Sequence, residues 1–528
     1  MTVRIKFCGA AGTVTGSCYW IQTADRQFLV DCGLFQGTKT VKELNYGDFP
    51  FNPVEIDFVL VTHAHADHGA MIPKLIKAGF DGPVYATAAT RDLLSYMLPD
   101  SGYIQEVEVE RLNRRNQQRG KAAVQPIYTR KDAEASISQI HPVEFEDWLT
   151  PETGIRARFW NAGHILGAAS VELEIEDGRD TLRLLFSGDI GPDNKLFHDD
   201  PEAPSDLDYV FCESTYGGRF RDPITAFQRR DILAREISSA MRAGGALVIP
   251  SFAVERTQEL LLDIDHLLDQ NEINCSAVFL DSPLAIRITS VFREHLADLA
   301  DVETGEHPFR NPKFHFTESV DESKAIARFT GGVIILAASG MCDAGRIRHH
   351  LKNHLWRPES TVLLVGYQAE GTLGRMLEKG FKKVRIQGEE IKVHARIRSI
   401  DTYSGHADGH ELVAWLKARE PVRQGIFLTH GSRESLAALA SDLQEQGVKK
   451  DHIVIPELDD MYELTKSGYT KRQRGVFRRI AAEAVDRPDW HNDLAQLTLD
   501  IRSSLEHLPD AQKKRLLSRL KKALRGAS

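Results

Sequence analysis

Between Thr62 and Gly69 the chain reads Thr-His-Ala-His-Ala-Asp-His-Gly, which places His63, His65, Asp67 and His68 within six consecutive positions. Imidazole and carboxylate together make a donor set of borderline softness, the kind that zinc accepts and that manganese also tolerates. A segment this short cannot easily turn all four groups onto one ion. Their directions suit two neighbouring cations, with His63 and His65 on one and Asp67 and His68 on the other. A histidine-rich surface loop is the plain alternative. It would suit a lone histidine better than this cluster, which directly follows an apolar run.

Two more donors follow apolar runs elsewhere. His164 lies in Asn161-Ala162-Gly163-His164-Ile165-Leu166-Gly167, and Asp189 in Ser187-Gly188-Asp189-Ile190-Gly191. Either alone reads as readily as a turn residue. Beside the cluster both read as ligands, and Asp189 is a carboxylate able to bridge two cations.

Such donors must be held at strand ends. Val3–Phe7, Ser17–Gln22, Gln27–Asp31, Phe58–Val61, Val84–Ala86, Arg156–Trp160, Ala169–Ile175 and Thr181–Phe186 are short β-type runs. Met71–Ala78, Ala89–Leu98 and the polar stretch from Asp100 to Gln118 read as helices. From about Thr215 the pattern becomes strand–helix alternation. Helices are expected at Phe227–Arg242, Glu255–Leu268 and Ile286–His295, with strands at Ala246–Ile249, Ala277–Leu280, Gly332–Ala337 and Thr361–Leu364. This alternation predicts a parallel sheet. Gly425–Leu428 reads as a strand of the first unit, to which the chain returns. The divisions are 1–214, 215–403, 404–474 and a helical extension, 475–528, in which Leu517, Leu520 and Leu524 keep helical spacing among basic residues. A solvated helix packed on the body is the preferred reading of that extension, ahead of a contact with RNA or with a second copy of the chain.

Composition narrows the class. The 528 residues exceed one ordinary core, and 42% apolar with 27% charged residues is ordinary for a globular protein. No run is apolar enough to span a bilayer, and Met1–Ala10 does not read as a secretory signal, so a cytoplasmic protein is expected. None of the six cysteines forms a Cys-x-x-Cys pair, which disfavours a thiolate metal site. The net charge of −9 argues against a uniformly basic coat for nucleic acid but allows a local basic groove.

Taken in order, Asp31 in Val-Asp-Cys-Gly, the His63–His68 cluster, His164 and Asp189 resemble the four motifs of the metallo-β-lactamase fold. Phe211-Cys212-Glu213-Ser214-Thr215-Tyr216-Gly217 is similar to motif A of the β-CASP subgroup, Tyr403–Asp408 to its motif B and Leu428-Thr429-His430-Gly431 to its motif C. Ile249–Arg256, Asp281–Ala285 and Ala338–Met341 are similar to stretches of its ribonuclease members. The fold implied is an α/β metallo-β-lactamase αββα sandwich with an inserted parallel-sheet β-CASP domain and a short helical C-terminal tail. The histidine at motif C resembles the RNA-acting members, where the DNA-repair branch tends to carry valine.

The resemblance also implies roles. One zinc takes His63, His65 and His164, the other takes Asp67, His68 and His430, and Asp189 bridges them. Asp31 orients a ligand histidine. His406 protonates the leaving oxygen, and Glu213 holds His406. The implied activity is cleavage of single-stranded RNA by water activated between the metals. The cut is endonucleolytic, 5′ exonuclease activity is a further expectation, and the products carry a 5′-phosphate and a 3′-hydroxyl. The alternative is a DNA nuclease of the repair branch. Expected partners are single-stranded RNA and, as a further candidate, a second copy of the chain; a membrane is not among them. For phosphate binding, Ser339, Gly340 and Met341 lie between a strand and a helix. Gly371–Arg375, with Gly374 and Arg375, is a second glycine-rich turn, and Arg256 and Arg346 could add charge. His394 reads as a strand residue. His349, His350 and His354 read as surface or packing residues of a helix.

Overall fold

Apolar alternation along the strands sorts them into three large sheets. The computed structural model describes residues 3–177, 180–296, 299, 309–368, 372–472, 477–481, 485, 501, 505 and 508–525. One eight-stranded sheet runs in the order Gly468–Lys471, Met461–Thr465, Val3–Phe7, Tyr19–Gln22, Gln27–Val30, Phe58–Leu60, Val84–Thr87 and Ile140–Val143. A seven-stranded sheet runs Ile453–Val454, Val422–Thr429, Leu207–Glu213, Asp180–Phe186, Ala169–Asp177, Ile155–Asn161 and Leu149–Glu152. Alternate residues of both enter one shared apolar cluster, to which Phe7, Phe28 and Phe58 come from the first sheet and Phe159, Phe186, Phe211 and Phe427 from the second. Phe186 and Phe211 stack at 4.4 Å, Phe211 and Phe427 at 5.0 Å, and Phe7 closes the group against Phe427 at 5.6 Å. Rings this size bury large apolar areas and fix how the two sheets meet.

The third sheet, in the order Phe314–Phe316, Ala277–Leu280, Val333–Ala337, Leu247–Pro250, Thr361–Val365 and Arg396–Ile400, is parallel throughout. Its inner strands are buried at every residue, as expected of a parallel sheet covered on both faces. Ile249, Leu280 and Leu336 enter one cluster and Val248, Phe279 and Ile335 another. The first of these clusters is continuous with Leu93 and Leu94 of the long helix beside the eight-stranded sheet, so the units share apolar surface.

Some elements differ from expectation. Ala89–Leu98 and Asp100–Gln118 form one 31-residue helix, Ala88–Gln118. Pro99 removes a single backbone donor and is itself buried, and the packed face carries the helix through. His394 lies between Glu389–Lys392 and Arg396–Ile400 rather than in a strand, its amide donating to the Leu355 carbonyl. Leu207–Glu213, met in the sequence only as a motif, is a central buried strand. Within the expected C-terminal extension Asp510–Arg525 is helical, and most of 475–509 lies outside the described residues, as does Gly371. All six cysteines are buried and unpaired. No helix among the described residues is long and apolar enough to cross a membrane.

Candidate metal centre

Parallel pairing brings the donors to one edge. Asp180–Phe186, Leu207–Glu213 and Val422–Thr429 are parallel neighbours, with Phe186 opposite Phe211 and Glu213 opposite Thr429. Asp189, Glu213 and His430 therefore emerge together. On the facing sheet Phe58–Leu60 runs into His63, and His65 caps the short helix Ala66–Gly69 that carries Asp67 and His68. His164 comes from the loop between Ile155–Asn161 and Ala169–Asp177. Gly188 takes a φ of +58°, and a Cβ there would come within 2.8 Å of the Ala169 carbonyl and 3.0 Å of Thr62 Cβ, so glycine lets the Asp189 loop sit against both its own sheet and the facing one.

Two donor groups result. In one, His65 Nδ1 lies 3.1 Å from both His63 Nε2 and His164 Nε2, and Asp189 Oδ2 lies 3.5 Å from His63 Nε2 and 3.6 Å from His164 Nε2. In the other, His68 Nε2 is 3.1 Å from His430 Nε2, which is 3.6 Å from Asp67 Oδ2. Asp189 turns its second oxygen to this group, with Oδ1 3.3 Å from His68 Nε2. That oxygen is buried and has no hydrogen-bond partner.

These contacts fit ligation better than hydrogen bonding, because the outer nitrogen is already engaged in four of the five rings. His164 Nδ1 donates to the Gly405 carbonyl at 2.6 Å. His68 Nδ1 donates to Asp31 Oδ2 at 2.7 Å. His63 Nδ1 meets Thr62 Oγ1 at 3.1 Å, and that hydroxyl has Asp31 as its acceptor. His430 Nδ1 meets Thr215 Oγ1 at 3.1 Å. The inner nitrogens of His63 and His164 are thereby left as lone pairs facing His65, while those of His68 and His430 face each other. Two donors about 2.05 Å from a tetrahedral ion stand roughly 3.3 Å apart, close to the spacing found here. The donor set therefore fits divalent cations.

Charge follows the same division. Burial drives His63 and His164 well below the ordinary imidazole range and His65 down to about 4, so this group offers neutral rings. Burial opposes the charged form of His68 and His430 too, but Asp189 together with Asp31 at His68, and with Asp67 at His430, outweighs it, and both are raised. Burial likewise disfavours the Asp189 carboxylate, yet His430, His68 and His63 hold it well below its ordinary value.

Beside this centre His406 Nδ1 lies 3.1 Å from Glu213 Oε1 and 3.9 Å from Asp189 Oδ2. Glu213 is fixed by the amides of Ile190 at 2.6 Å and Thr215 at 3.1 Å. Arg221 donates to the His406 carbonyl at 2.6 Å. The His164 loop is held from the parallel-sheet unit. Glu255, buried with a φ of +68°, accepts from the Leu166 amide at 3.1 Å and pairs with His198 at 2.6 Å and Lys195 at 3.2 Å. Lys195 in turn donates to the His164 carbonyl.

The structure thus brings together His63, His65, Asp67, His68, His164, Asp189, His430, Asp31, Glu213 and His406. The phosphate candidates form a group at the ends of the parallel strands. Gly374 donates to the Met341 carbonyl at 3.1 Å, the Gly340 carbonyl accepts from Gln368, and Ser339 Oγ accepts from the Ala344 amide. Arg346 is engaged by Asp281 at 2.7 Å and by the carbonyls of Thr317 and Glu318, and Arg375 pairs with Glu378 at 2.5 Å. Arg256 donates to the Val365 carbonyl at 2.9 Å. His350 and His354 are buried, His350 against Asp281 at 2.7 Å. Sequence reasoning missed Thr62, Thr215, Gly405, Arg221, Lys195 and Glu255. Thr62, Thr215, Gly405 and Glu255 stand inside motif stretches, where their position was a usable signal; Arg221 and Lys195 left none.

Residues 11–237 match the model of the metallo-beta-lactamase superfamily, 257–377 that of the Beta-Casp domain and 390–456 that of the Zn-dependent metallo-hydrolase RNA specificity domain. The chain is 36% identical over 454 residues to a ribonuclease of Thermus thermophilus, covering 84% of this chain and 97% of that protein. It is 30% identical over 465 residues to transcription termination factor FttA of Methanocaldococcus jannaschii, covering 85% and 70%. Its identity to FttA of Methanococcus maripaludis is 31% over 455 residues, covering 83% and 68%.

Proposed function

The chain belongs to the metallo-β-lactamase superfamily, in the β-CASP branch of metal-dependent ribonucleases, and from that membership we propose that it cuts single-stranded RNA as a phosphodiesterase loaded with two zinc ions. The observation that carries the two-ion reading is Asp189, a buried carboxylate with one oxygen toward each donor group. His63, His65 and His164 would hold one ion and Asp67, His68 and His430 the other, with Asp189 between them. When bound, the pair supplies water activation and neutralises charge on the phosphoryl oxygens.

The remaining work falls to side chains. Asp31, Thr62, Thr215 and the Gly405 carbonyl hold the outer ring nitrogens, so the inner ones are fixed in direction toward the ions. Glu213 engages His406 at Nδ1 and leaves Nε2 to hold the proton that passes to the leaving O3′. Cleavage then yields a 5′-phosphate and a 3′-hydroxyl. The division at 214/215 and 403/404, with the first unit an αββα sandwich, sets Glu213 and His406 at the two junctions of an inserted domain. RNA enters between the units, where one strand fits and a duplex does not.

The test is a labelled RNA hairpin with a single-stranded tail, digested across a salt series beside its DNA counterpart, after metal analysis of the purified protein. Two zinc ions per chain, cuts confined to the RNA tail and a steep loss of rate with salt are expected. Efficient cutting in the stem with little salt dependence would refute the cleft. Preference for the DNA counterpart would move the chain to the repair-type alternative.

A further inference from the structure

Beside His406 two tyrosines hold an arginine between them. The Tyr216 ring meets the His406 ring edge-on at 5.6 Å. The Arg219 guanidinium carbon lies 5.1 Å from the Tyr216 ring centre and 5.0 Å from that of Tyr367. Tyr216 and Arg219 follow the strand that bears Glu213, whereas Tyr367 follows Thr361–Val365 of the parallel sheet. The three side chains therefore join the two units next to the proton donor.

Their backbones are fixed. The Arg219 amide donates to the Tyr216 carbonyl at 2.9 Å, and Gly218 between them takes a φ of +74° with Ala438 directly behind it. Gly366, before Tyr367, has a φ of +94° and rests on the Arg256 guanidinium, while buried Gln368 donates to the carbonyls of Gly340 and Gly366. Yet the groups themselves face solvent. Tyr367 is 43% exposed, and Arg219 is exposed with no carboxylate in ion-pair range among the described residues. An arginine held between two rings keeps its charge for an outside anion, and a tyrosine covered on one side keeps a π-face for a base.

We propose that Tyr216, Arg219 and Tyr367 form a nucleotide clamp on the leaving-group side of the scissile bond. The base stacks on Tyr367 and its phosphate meets Arg219. This rests on the ribonuclease reading, in which His406 protonates the O3′ of that nucleotide. Stacking tolerates any base, so the clamp grips unpaired nucleotides without reading sequence. A base within a duplex cannot reach it.

The experiment uses the full-length, metal-loaded protein. A labelled single-stranded RNA oligomer is compared with an abasic spacer chain of the same length and charge, and binding is read by stopped-flow anisotropy before turnover. Tyr367→Ala should weaken RNA binding about 5- to 150-fold while shifting the spacer chain less than about two-fold, as loss of one stacked base predicts. Arg219→Ala should weaken both and reduce the slope of log affinity against log salt by roughly one. Unchanged RNA binding by Tyr367→Ala, or equal loss on both chains, overturns the clamp. Product gels of the wild-type mixture judge the ribonuclease reading separately. Intact RNA on those gels, with the binding differences present, refutes cleavage and leaves the clamp standing.

Discussion

Replacing Asp31 by Asn changes little in volume and should detach the second donor group from its cation. The Asp31 carboxylate is 1% exposed and takes Ser17 Oγ at 3.1 Å, the Thr62 amide at 2.8 Å, Thr62 Oγ1 at 3.0 Å and His68 Nδ1 at 2.7 Å. Its φ is +59°, a conformation asparagine adopts readily, so the backbone should survive. The amide oxygen can still accept from Thr62. The NH2 must then face His68 Nδ1 as a donor, which moves the ring proton to Nε2, the atom needed for the metal. Loss of such an orienting partner costs 10- to 100-fold in metal affinity, or about 1.4–2.7 kcal/mol. The lost charge also relaxes proton competition at His68, which Asp189 and Asp31 hold well above its ordinary value against burial. The deficit should therefore widen as pH rises and wild-type His68 releases its proton. Stepwise zinc affinities, measured by competition with a chromophoric chelator at several pH values alongside RNA cleavage, provide the assay. One site should weaken while the other holds. Two unchanged affinities with an unchanged rate would show that Asp31 does not orient His68.

Asp189→Asn should abolish hydrolysis and release at least one metal, and two retained metals with near-normal activity would refute a bridging carboxylate. His406→Ala should keep both metals and bind RNA but cleave about 10²–10⁴-fold more slowly, as loss of a general acid predicts; loss of metal instead would make His406 a ligand. Glu259 is buried, and burial lifts it to about 7 against the pull of Lys195, with Glu255 adding to the rise. Between about pH 4.5 and 7 the folded chain thus keeps a proton that the unfolded chain releases, so stability falls by about 3 kcal/mol as pH rises through that window. Glu259→Gln should flatten the decline of melting temperature between pH 5 and 8, and parallel curves for the two proteins would refute this. Glu255→Ala leaves Lys195 and His198 buried without their carboxylate and should cost about 3–5 kcal/mol in chemical denaturation. A loss under 1 kcal/mol would show that the pair does not hold the His164 loop.

The contiguous part of the site was legible in the sequence because one short turn carries it. His63 to His68 are held together by the chain itself, and their chemistry follows from residue type. Most helices and strands were legible for the same reason, since periodicity is local. His430, His406 and Glu213 were found by resemblance to motifs, because no spacing brings residue 430 beside residue 68. Parallel pairing of Leu207–Glu213 with Val422–Thr429 sets His430 beside Glu213, and the packing of the two sheets brings it to His68. Tertiary contacts alone decided the rest. Arg346 could be read only as a charge available to phosphate; that Asp281, 65 residues away, engages it is visible only in the structure. Pro99 looked like a helix end, but a packed helix face runs through it. Glu255 reaches Leu166 from 89 residues away, and Arg219 stacks on Tyr367 across the junction of two units. Periodicity records which face of an element is buried; the partner that buries a charge or orients a ring is set only when distant strands close on one another.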